Sequence, residues 1–193
     1  MSALPAPAIV SAPLAYESVL ARRALSDVDL VVIHCTELPD LVMAREYGER
    51  VLYENGSGNS GHFYIDRDGS IVQYVALERV AHHVRGMNPR SVGIELVNTG
   101  RYPHWFDSRH QAMEEPYTPA QIQALIALLH WLSTALPSLR WIAGHEELDT
   151  AQVEASDDAT LTVARKRDPG PRFPWPQVLQ AVALKPLPAQ SRA

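Results

Sequence analysis

This chain has little cysteine and no excess of positive charge, and each of these features argues against a class of protein. Cys35 is the only cysteine among 193 residues, which excludes an internal disulfide framework and is compatible with a reducing compartment. The net charge is −5, because 17 lysines and arginines stand against 22 aspartates and glutamates. That balance argues against nucleic acid as the main partner.

Long apolar runs are also missing, and this bears on membranes and export. No run reaches the length of a bilayer-spanning helix, so we expect no membrane span. The apolar stretch near the N-terminus is interrupted by Pro5, Pro7 and Pro13, and no basic region precedes it. These features do not fit a signal peptide, and we expect a cytoplasmic location. Export by another route, or release by lysis, is the alternative.

The composition that remains is that of an ordinary globular protein, with 46% hydrophobic and 20% charged residues. The length fits one domain with a sizeable core. We expect an irregular, proline-punctuated arm over residues 1–16, the folded domain over 17–180 and a tail over 181–193.

Strands are predicted where β-branched and apolar residues run together. Leu30–Cys35 and Ser91–Val97 are expected to be buried strands, and Leu139–Ala143 a shorter one. His62–Ile65 and Ser70–Val75 flank an Asp-Gly turn and are expected to form a hairpin.

Two helices are predicted from their caps and apolar periodicity. Asp40 is expected to cap a helix that runs to about Leu52, with Val51 facing inward. Thr118 and Gln121 form a capping box that opens a second helix. Alternating strands and helices, with one antiparallel hairpin, indicate an α/β fold with a central mixed β-sheet flanked by α-helices.

Two histidines stand at the C-terminal ends of predicted strands, where α/β sheets form their binding crevices. Taken singly, His34 and His145 are each compatible with a purely structural role. Together with Asp168 they offer two imidazoles and one oxygen, the ligand composition of a catalytic zinc site, although such long-range spacing cannot be verified from sequence. Cys35 follows His34 and should face the opposite side of its strand, as a small buried hydrophobic residue.

Two charged residues occupy unusual positions. Glu95 lies inside an apolar strand, where a carboxylate is unfavourable unless it is paired or belongs to a site. A buried salt bridge to an arginine is the alternative explanation. Lys166 is one of only two lysines in the chain and lies two residues before Asp168. It could equally be a solvated loop residue.

Five segments follow one another along the chain: Val31–His34, Gly61–Gly69, Ser91–Glu95, Gly144–His145 and Arg165–Pro171. In this order they resemble the zinc-dependent N-acetylmuramoyl-L-alanine amidase family (amidase type 2). This type is shared by phage lysozyme-type amidases, peptidoglycan-recognition proteins and cytosolic AmpD-type enzymes, and the AmpD type is the most similar. The resemblance covers about residues 30–178 and implies a mixed sheet flanked by helices.

The resemblance also implies a function and a site. The family cleaves the amide between the muramic-acid lactyl group and L-alanine. By position, one Zn²⁺ would be held by His34, His145 and Asp168, Glu95 would be the catalytic glutamate, and Lys166 would assist the transition state. Zinc would lower the pKa of bound water to about 7, and Glu95 would orient or deprotonate that water.

Two further histidines are candidates for substrate binding. His83 follows His82 where the family typically shows Ala-Trp-His-Ala-Gly, and we expect it to line the substrate cleft. His62 is the second candidate, with support of the hairpin as its preferred alternative. The segment 150–162 makes this part of the chain longer than in the most compact family members. We expect it to form either a lid or a solvated excursion.

We therefore expect a zinc amidase of small muropeptides that acts in cell-wall recycling. A prophage endolysin or exported amidase acting on intact peptidoglycan is the first alternative. A non-catalytic peptidoglycan-recognition module is the second, and a metal-free α/β protein the third.

Overall fold

A seven-stranded sheet forms the centre of the structure, a computed structural model that describes residues 6–189. In this part of the chain the strands are β1 (Ile9–Ser11), β2 (Leu30–Cys35), β3 (Phe63–Ile65), β4 (Ile71–Gln73), β5 (Ser91–Leu96), β6 (Trp141–Gly144), β7 (Gln152–Glu154), β8 (Thr162–Ala164) and β9 (Lys185–Pro186). The helices are α1 (Leu41–Gly48), α2 (Pro119–Ala135), α3 (His145–Leu148) and α4 (Trp175–Ala181).

The order of strands across the sheet is β1-β4-β3-β5-β2-β6-β9, and β7 and β8 pair only with each other. All neighbours in the large sheet are parallel except the β3–β4 hairpin. Helices α2 and α4 pack on one face and α1 on the other. The predicted α/β class, a mixed sheet flanked by helices, is confirmed.

The main hydrophobic core lies between the sheet and α2. Ile33 of β2 and Ile94 of β5 pack there against one apolar stripe of the helix. Each fully buried leucine of this stripe contributes about 1.5–3 kcal/mol relative to an exposed one. Within α2, the leucines with no exposed surface are Leu125, Leu128, Leu129 and Leu132. Since side chains alternate along a strand, the residues after Ile33 and Ile94 point away from this core.

The start of α2 is the predicted capping box. Thr118 Oγ1 accepts a hydrogen bond from Gln121 N–H at 3.1 Å, and the Gln121 side chain accepts one from Thr118 N–H at 3.1 Å. Gln121 is buried and also donates to the Val97 carbonyl at 2.8 Å. The cap therefore ties the first turn of α2 to the end of β5.

Helix α1 is shorter than predicted. It starts after Asp40, whose Oδ1 accepts from Met43 N–H at 2.7 Å, but it ends at Gly48 and not near Leu52. The Tyr16 hydroxyl donates to the Gly48 carbonyl at 2.6 Å, so that this carbonyl is satisfied without a further helical turn. Val51, expected to face inward, is 60% exposed.

The predicted ends of the domain also differ from the structure. Ile9–Ser11, placed in an irregular arm, pairs with β4 at the edge of the sheet. Lys185–Pro186, placed in the tail, pairs with β6, and Leu184 and Leu187 beside it are buried. Residues 1–5 and 190–193 lie outside the described part of the chain. Short edge strands of two or three residues carry too little pattern to be recognised.

Residues 150–162, expected to form either a lid or a solvated excursion, make up most of a β-hairpin. Strands β7 and β8 pair in antiparallel register, with Val153 opposite Val163. The tip is held by Asp157, whose carboxylate accepts from Ser108 N–H at 2.7 Å and from the Ser108 hydroxyl at 2.8 Å. Within residues 6–189, no helix has the length and apolar character needed to cross a membrane.

Candidate metal centre

Three neighbouring parallel strands end at the same edge of the sheet, and each brings a polar side chain there. The Cα of His34 in β2 is in register with that of Glu95 in β5. His145 follows directly on β6, the other neighbour of β2. Because of strand alternation, His34 and Glu95 lie on the face away from α2. The strand ends thus form a crevice, as expected for this kind of sheet.

A buried carboxylate completes the cluster. Asp168 Oδ2 lies 2.9 Å from His34 Nδ1 and 3.0 Å from His145 Nδ1. The exposed fractions of the three residues are only 2–3%. Glu146 N–H, next to His145, donates to the Asp168 carbonyl at 2.9 Å and holds this loop beside β6. The structure therefore brings together the three residues that the sequence suggested as metal ligands.

The charge and the donor atoms of this cluster suit a divalent cation. Burial lowers the pKa of His34 to about 4, so this imidazole is neutral at physiological pH. Burial alone would raise the pKa of Asp168, but the two imidazoles hold it well below its usual range. A buried carboxylate anion needs a positive partner. Two nitrogens and one carboxylate oxygen, with a fourth position open, are the ligand set of a catalytic zinc site.

Unsatisfied polar atoms point to the same conclusion. Asp168 Oδ1 and His145 Nε2 are buried and have no hydrogen-bond partner among residues 6–189. Within that range, His34, His145 and Asp168 are the only group of three potential ligands whose donor atoms all lie within 4.8 Å of one another. These residues therefore fit a bound zinc ion.

Glu95 stands beside the candidate ligands, with its Oε1 4.0 Å from His34 Nδ1. Burial raises the pKa of Glu95 to about 8, Asp168 adds to the rise, and Lys166 opposes it. Within the described residues, no arginine forms an ion pair with Glu95, so the alternative explanation of a buried arginine salt bridge is not observed. A Cβ atom at Gly61 would lie 2.9 Å from Glu95 Cγ, which shows how closely that loop covers the carboxylate.

Lys166 reaches the same space from the basic segment before Asp168. Its half-buried side chain lines the cleft together with Glu95. No hydrogen bond or ion pair to its ammonium group is found in the part of the chain that the structure describes. A cation placed this way is available to a bound molecule.

The two histidines proposed for substrate binding have different surroundings. His83 lines the cleft, as expected, and its Nδ1 lies 3.0 Å from His34 Nε2. His62 has no exposed surface, which does not favour the predicted contact with substrate. Its Nδ1 accepts from Gly93 N–H at 3.1 Å, and its Nε2 lies 3.1 Å from the Arg79 carbonyl. The preferred alternative for His62, a supporting role, agrees with these contacts.

The candidate metal ligands line a cleft of about 770 Å³. Its walls come from the loop after α1, from the segment around His83 and from the loop between β5 and α2. Sequence reasoning missed the aromatic and basic residues of these walls, because isolated loop residues form no periodic pattern. Among them are Tyr47, Tyr53, Trp105, Phe106, Arg50 and Arg85.

A buried ion pair beside the cleft was also missed. Arg101 Nε donates to Glu37 Oε1 at 2.6 Å, and its Nη2 donates to Oε2 at 2.8 Å. The same guanidinium donates to the carbonyls of Ala164 at 2.8 Å and Arg165 at 3.3 Å. Glu37 has a φ of 48°, an unusual value for a residue with a side chain. The pair therefore connects the loops after β2 and β5 to the segment that carries Lys166 and Asp168.

Cys35 is buried, as predicted, and strand alternation turns its side chain away from that of His34. Burial raises the pKa of its thiol well above the usual value, and Asp168 and Glu37 add to this rise. The thiol is thus held in its protonated form and is unsuited to bind metal or to act as a nucleophile.

Comparison with known proteins identifies the family to which this fold and site belong. A profile described as N-acetylmuramoyl-L-alanine amidase matches residues 24–171, and the chain is a member of this family. The resemblance inferred from five sequence segments is thereby confirmed.

Individual relatives agree with this assignment. The 1,6-anhydro-N-acetylmuramyl-L-alanine amidase AmpD of Salmonella typhimurium (strain LT2) is 33% identical over 134 residues, which are 65% of this chain and 58% of that protein. The match thus spans less than two thirds of that relative's length.

Solved structures with the same fold include two that bear on ligands. AmiD from E. coli, in complex with the substrate anhydro-N-acetylmuramic acid-L-Ala-D-gamma-Glu-L-Lys, has a TM-score of 0.60 at 25% identity, over 83% of this chain and 60% of that one. Bumblebee PGRP-SA has a TM-score of 0.65 at 18% identity, over 94% of this chain and 99% of that one. This second likeness is one of fold alone.

Proposed function

We propose that this protein is a zinc-dependent hydrolase of peptidoglycan fragments. It cleaves the amide between the lactyl group of N-acetylmuramoyl or anhydromuramoyl residues and L-alanine, in cell-wall recycling. The observation that carries the proposal is the buried His34–His145–Asp168 cluster with Glu95 beside it, at the floor of an open cleft. Membership in the amidase family and the muropeptide bound to AmiD support the substrate class.

His34, His145 and Asp168 hold the zinc ion in this proposal. When bound, zinc supplies Lewis acidity and lowers the pKa of water to about 7. The protein contributes a preformed pair of imidazoles and a carboxylate already in its ionised form, since the pKa of Asp168 is held low.

Glu95 moves the proton in the hydrolysis. The positive charge of a bound zinc ion would favour the ionised form of Glu95, whose pKa is otherwise raised by burial. The Glu95 carboxylate accepts a proton from the attacking water, whose oxygen forms the new bond to the amide carbon. The carbon–nitrogen bond then breaks, and Glu95 delivers the proton to the leaving amine of L-alanine. Lys166 donates to the carbonyl oxygen as negative charge develops there, where a positioned cation is most effective.

The shape of the cleft favours a small substrate. About 770 Å³ lies within the range of roughly 300–1,000 Å³ that is usual for small-molecule sites. The aromatic wall residues Tyr53 and Phe106 can pack on sugar or peptide, and Arg85 can bind a carboxylate of the stem peptide. A soluble muropeptide therefore fits better than a polymer. The cytoplasmic location expected from the N-terminal sequence stays a prediction.

The test compares soluble anhydro-muropeptide with intact wall, with release of free stem peptide measured by chromatography and mass spectrometry. We expect the soluble fragment to be preferred. Preference for intact wall would favour the endolysin or exported-amidase alternative. Tight binding of the fragment without turnover in the zinc-loaded protein would favour the recognition module.

Variants separate metal binding from proton transfer. His34→Ala and Asp168→Ala should lose zinc and activity together, with zinc measured by mass spectrometry of the purified protein. Glu95→Gln should keep stoichiometric zinc and lose activity by a factor of about 10² or more. Glu46→Gln removes an exposed carboxylate of α1 and serves as the matched control. Stoichiometric zinc in Asp168→Ala, or near-normal rates in Glu95→Gln, would contradict the assigned roles.

A further inference from the structure

We infer that Ser91 and His83 are positioning residues that set the tautomer of His34, so that its Nδ1 lone pair is directed at the metal. This inference deepens the proposed function, because it rests on the zinc centre proposed there. The observation is a continuous chain of hydrogen bonds that runs from a backbone carbonyl, through a serine and a second histidine, to His34.

The chain begins at the Met87 carbonyl. The Ser91 hydroxyl, buried at the start of β5, donates to this carbonyl at 2.8 Å. A carbonyl oxygen can only accept, so the single hydroxyl proton of Ser91 is committed to it. The Ser91 oxygen is then left as an acceptor for its second neighbour.

His83 is that second neighbour, with its Nε2 3.2 Å from Ser91 Oγ. Since Ser91 Oγ accepts, Nε2 of His83 carries the proton. A neutral imidazole has one N–H, which leaves His83 Nδ1 without a proton. This nitrogen faces His34 Nε2 at 3.0 Å and accepts a hydrogen bond from it. With a metal ion bound, His34 would therefore be protonated on Nε2, and its Nδ1, the atom beside Asp168, would offer its lone pair to the metal.

The backbone holds the His83 ring in the orientation that this chain requires. Asn88 Oδ1 accepts from the backbone N–H groups of His83 at 3.0 Å and Val84 at 2.8 Å. The ring also lies directly against Gly93, where a Cβ atom would be 2.6 Å from His83 Cγ. The local structure thus leaves space for one ring position in line with both Ser91 and His34.

The opposite arrangement of protons would work against metal binding. If Ser91 donated to His83 Nε2, His83 would carry its proton on Nδ1 and donate to His34 Nε2. The proton of neutral His34 would then lie on Nδ1, and no lone pair would be available to the metal. The bond between Ser91 and Met87 disfavours this arrangement. Partners of this kind behind a metal ligand affect metal affinity by about 10–100-fold when they are removed.

The first test measures zinc affinity by chelator competition in Ser91→Ala. Without the hydroxyl, His83 Nε2–H loses its acceptor, and the proton shifts toward Nδ1, against His34. We expect zinc to bind about tenfold or more weakly than in the wild type. Ser57→Ala is the matched control, because Ser57 is equally buried and its hydroxyl donates to Asn55 at 2.7 Å, outside this chain. Equal affinity in Ser91→Ala and Ser57→Ala would overturn the inference.

The second test separates the hydrogen bond from the shape of the ring. His83→Phe keeps an aromatic ring beside Gly93 but removes the acceptor for His34 Nε2, and zinc affinity should fall. His83→Gln offers an amide oxygen as the acceptor and should recover most of the affinity lost in His83→Phe. If both variants bind zinc equally well, the chain does not act through its hydrogen bonds.

A spectroscopic readout addresses the tautomers directly. Long-range ¹H–¹⁵N correlation spectra of the zinc-loaded protein should show His83 protonated on Nε2 and unprotonated on Nδ1, and Ser91→Ala should change the His83 pattern. A proton on Nδ1 of His83 in the wild type would refute the inference. Absence of zinc binding by the wild type would instead refute the proposed function, so the two failures are distinguishable.

Discussion

Replacing Arg101 with methionine should destabilise the protein strongly, because it leaves a carboxylate buried without its partner. The side chains of Arg101 and Glu37 are 1% and 8% exposed, and two short hydrogen bonds join them. Removing one partner of a buried ion pair costs about 3–5 kcal/mol. That loss is a large share of the roughly 5–15 kcal/mol by which a typical domain is stable.

The assay is urea unfolding followed by circular dichroism, with excess chelator so that zinc binding does not contribute. Arg109→Met is the control, since Arg109 is also paired with an aspartate but is 72% exposed, and its unfolding midpoint should not change. The double variant Arg101→Met/Glu37→Gln no longer contains the unpaired charge. Its loss in free energy of unfolding should be about 1–3 kcal/mol smaller than the sum of the losses in the two single variants. A midpoint for Arg101→Met equal to that of Arg109→Met would refute the reasoning.

Two further predictions concern packing. Gly93→Ala should displace the His83 ring, because the new Cβ would lie 2.6 Å from His83 Cγ. Zinc affinity, measured by chelator competition, should then fall by about tenfold or more. Unchanged affinity would show that the ring can move without consequence. Leu129→Ala should lower the free energy of unfolding by about 2–5 kcal/mol, because Leu129 is fully buried under the sheet. Val42→Ala, at a position 71% exposed on α1, should change it by less than about 0.5 kcal/mol in the same urea titration.

Much of the fold could be predicted because its central elements carry strong local patterns. The run Leu30–Cys35 is buried along its whole length, and α2 has both a capping box and a periodic apolar stripe. The end of α1 could not be predicted in the same way. It depends on the Tyr16 hydroxyl, which lies 32 residues away in sequence and satisfies the carbonyl of Gly48.

The candidate ligands could be proposed from sequence because parallel strands bring their C-terminal ends to one edge. The positions of His34 and His145 follow once β2 and β6 are predicted correctly. The contacts of Arg101 and of His83 were out of reach, since they depend on rotamers and on loops that meet across more than 45 residues. The burial of His62 could not be predicted for a related reason: it depends on Arg23 and Arg79, which cover His62 from other parts of the chain.

The β7–β8 hairpin has a consequence for how the cleft could be altered. It lies between two candidate ligands, His145 and Asp168, yet its base is closed independently of its tip. Arg165 N–H donates to the Ala151 carbonyl at 2.8 Å, and Asp149 pairs with the Arg165 guanidinium. Doubling the length of a flexible loop costs only about 0.6 kcal/mol in closure entropy. The tip contacts a wall of the cleft, because Ser156 N–H donates to the carbonyl of Phe106 at 2.8 Å. It is therefore a natural grafting point, where longer or differently charged segments could be exchanged to change the range of accepted molecules while the candidate metal ligands stay in place.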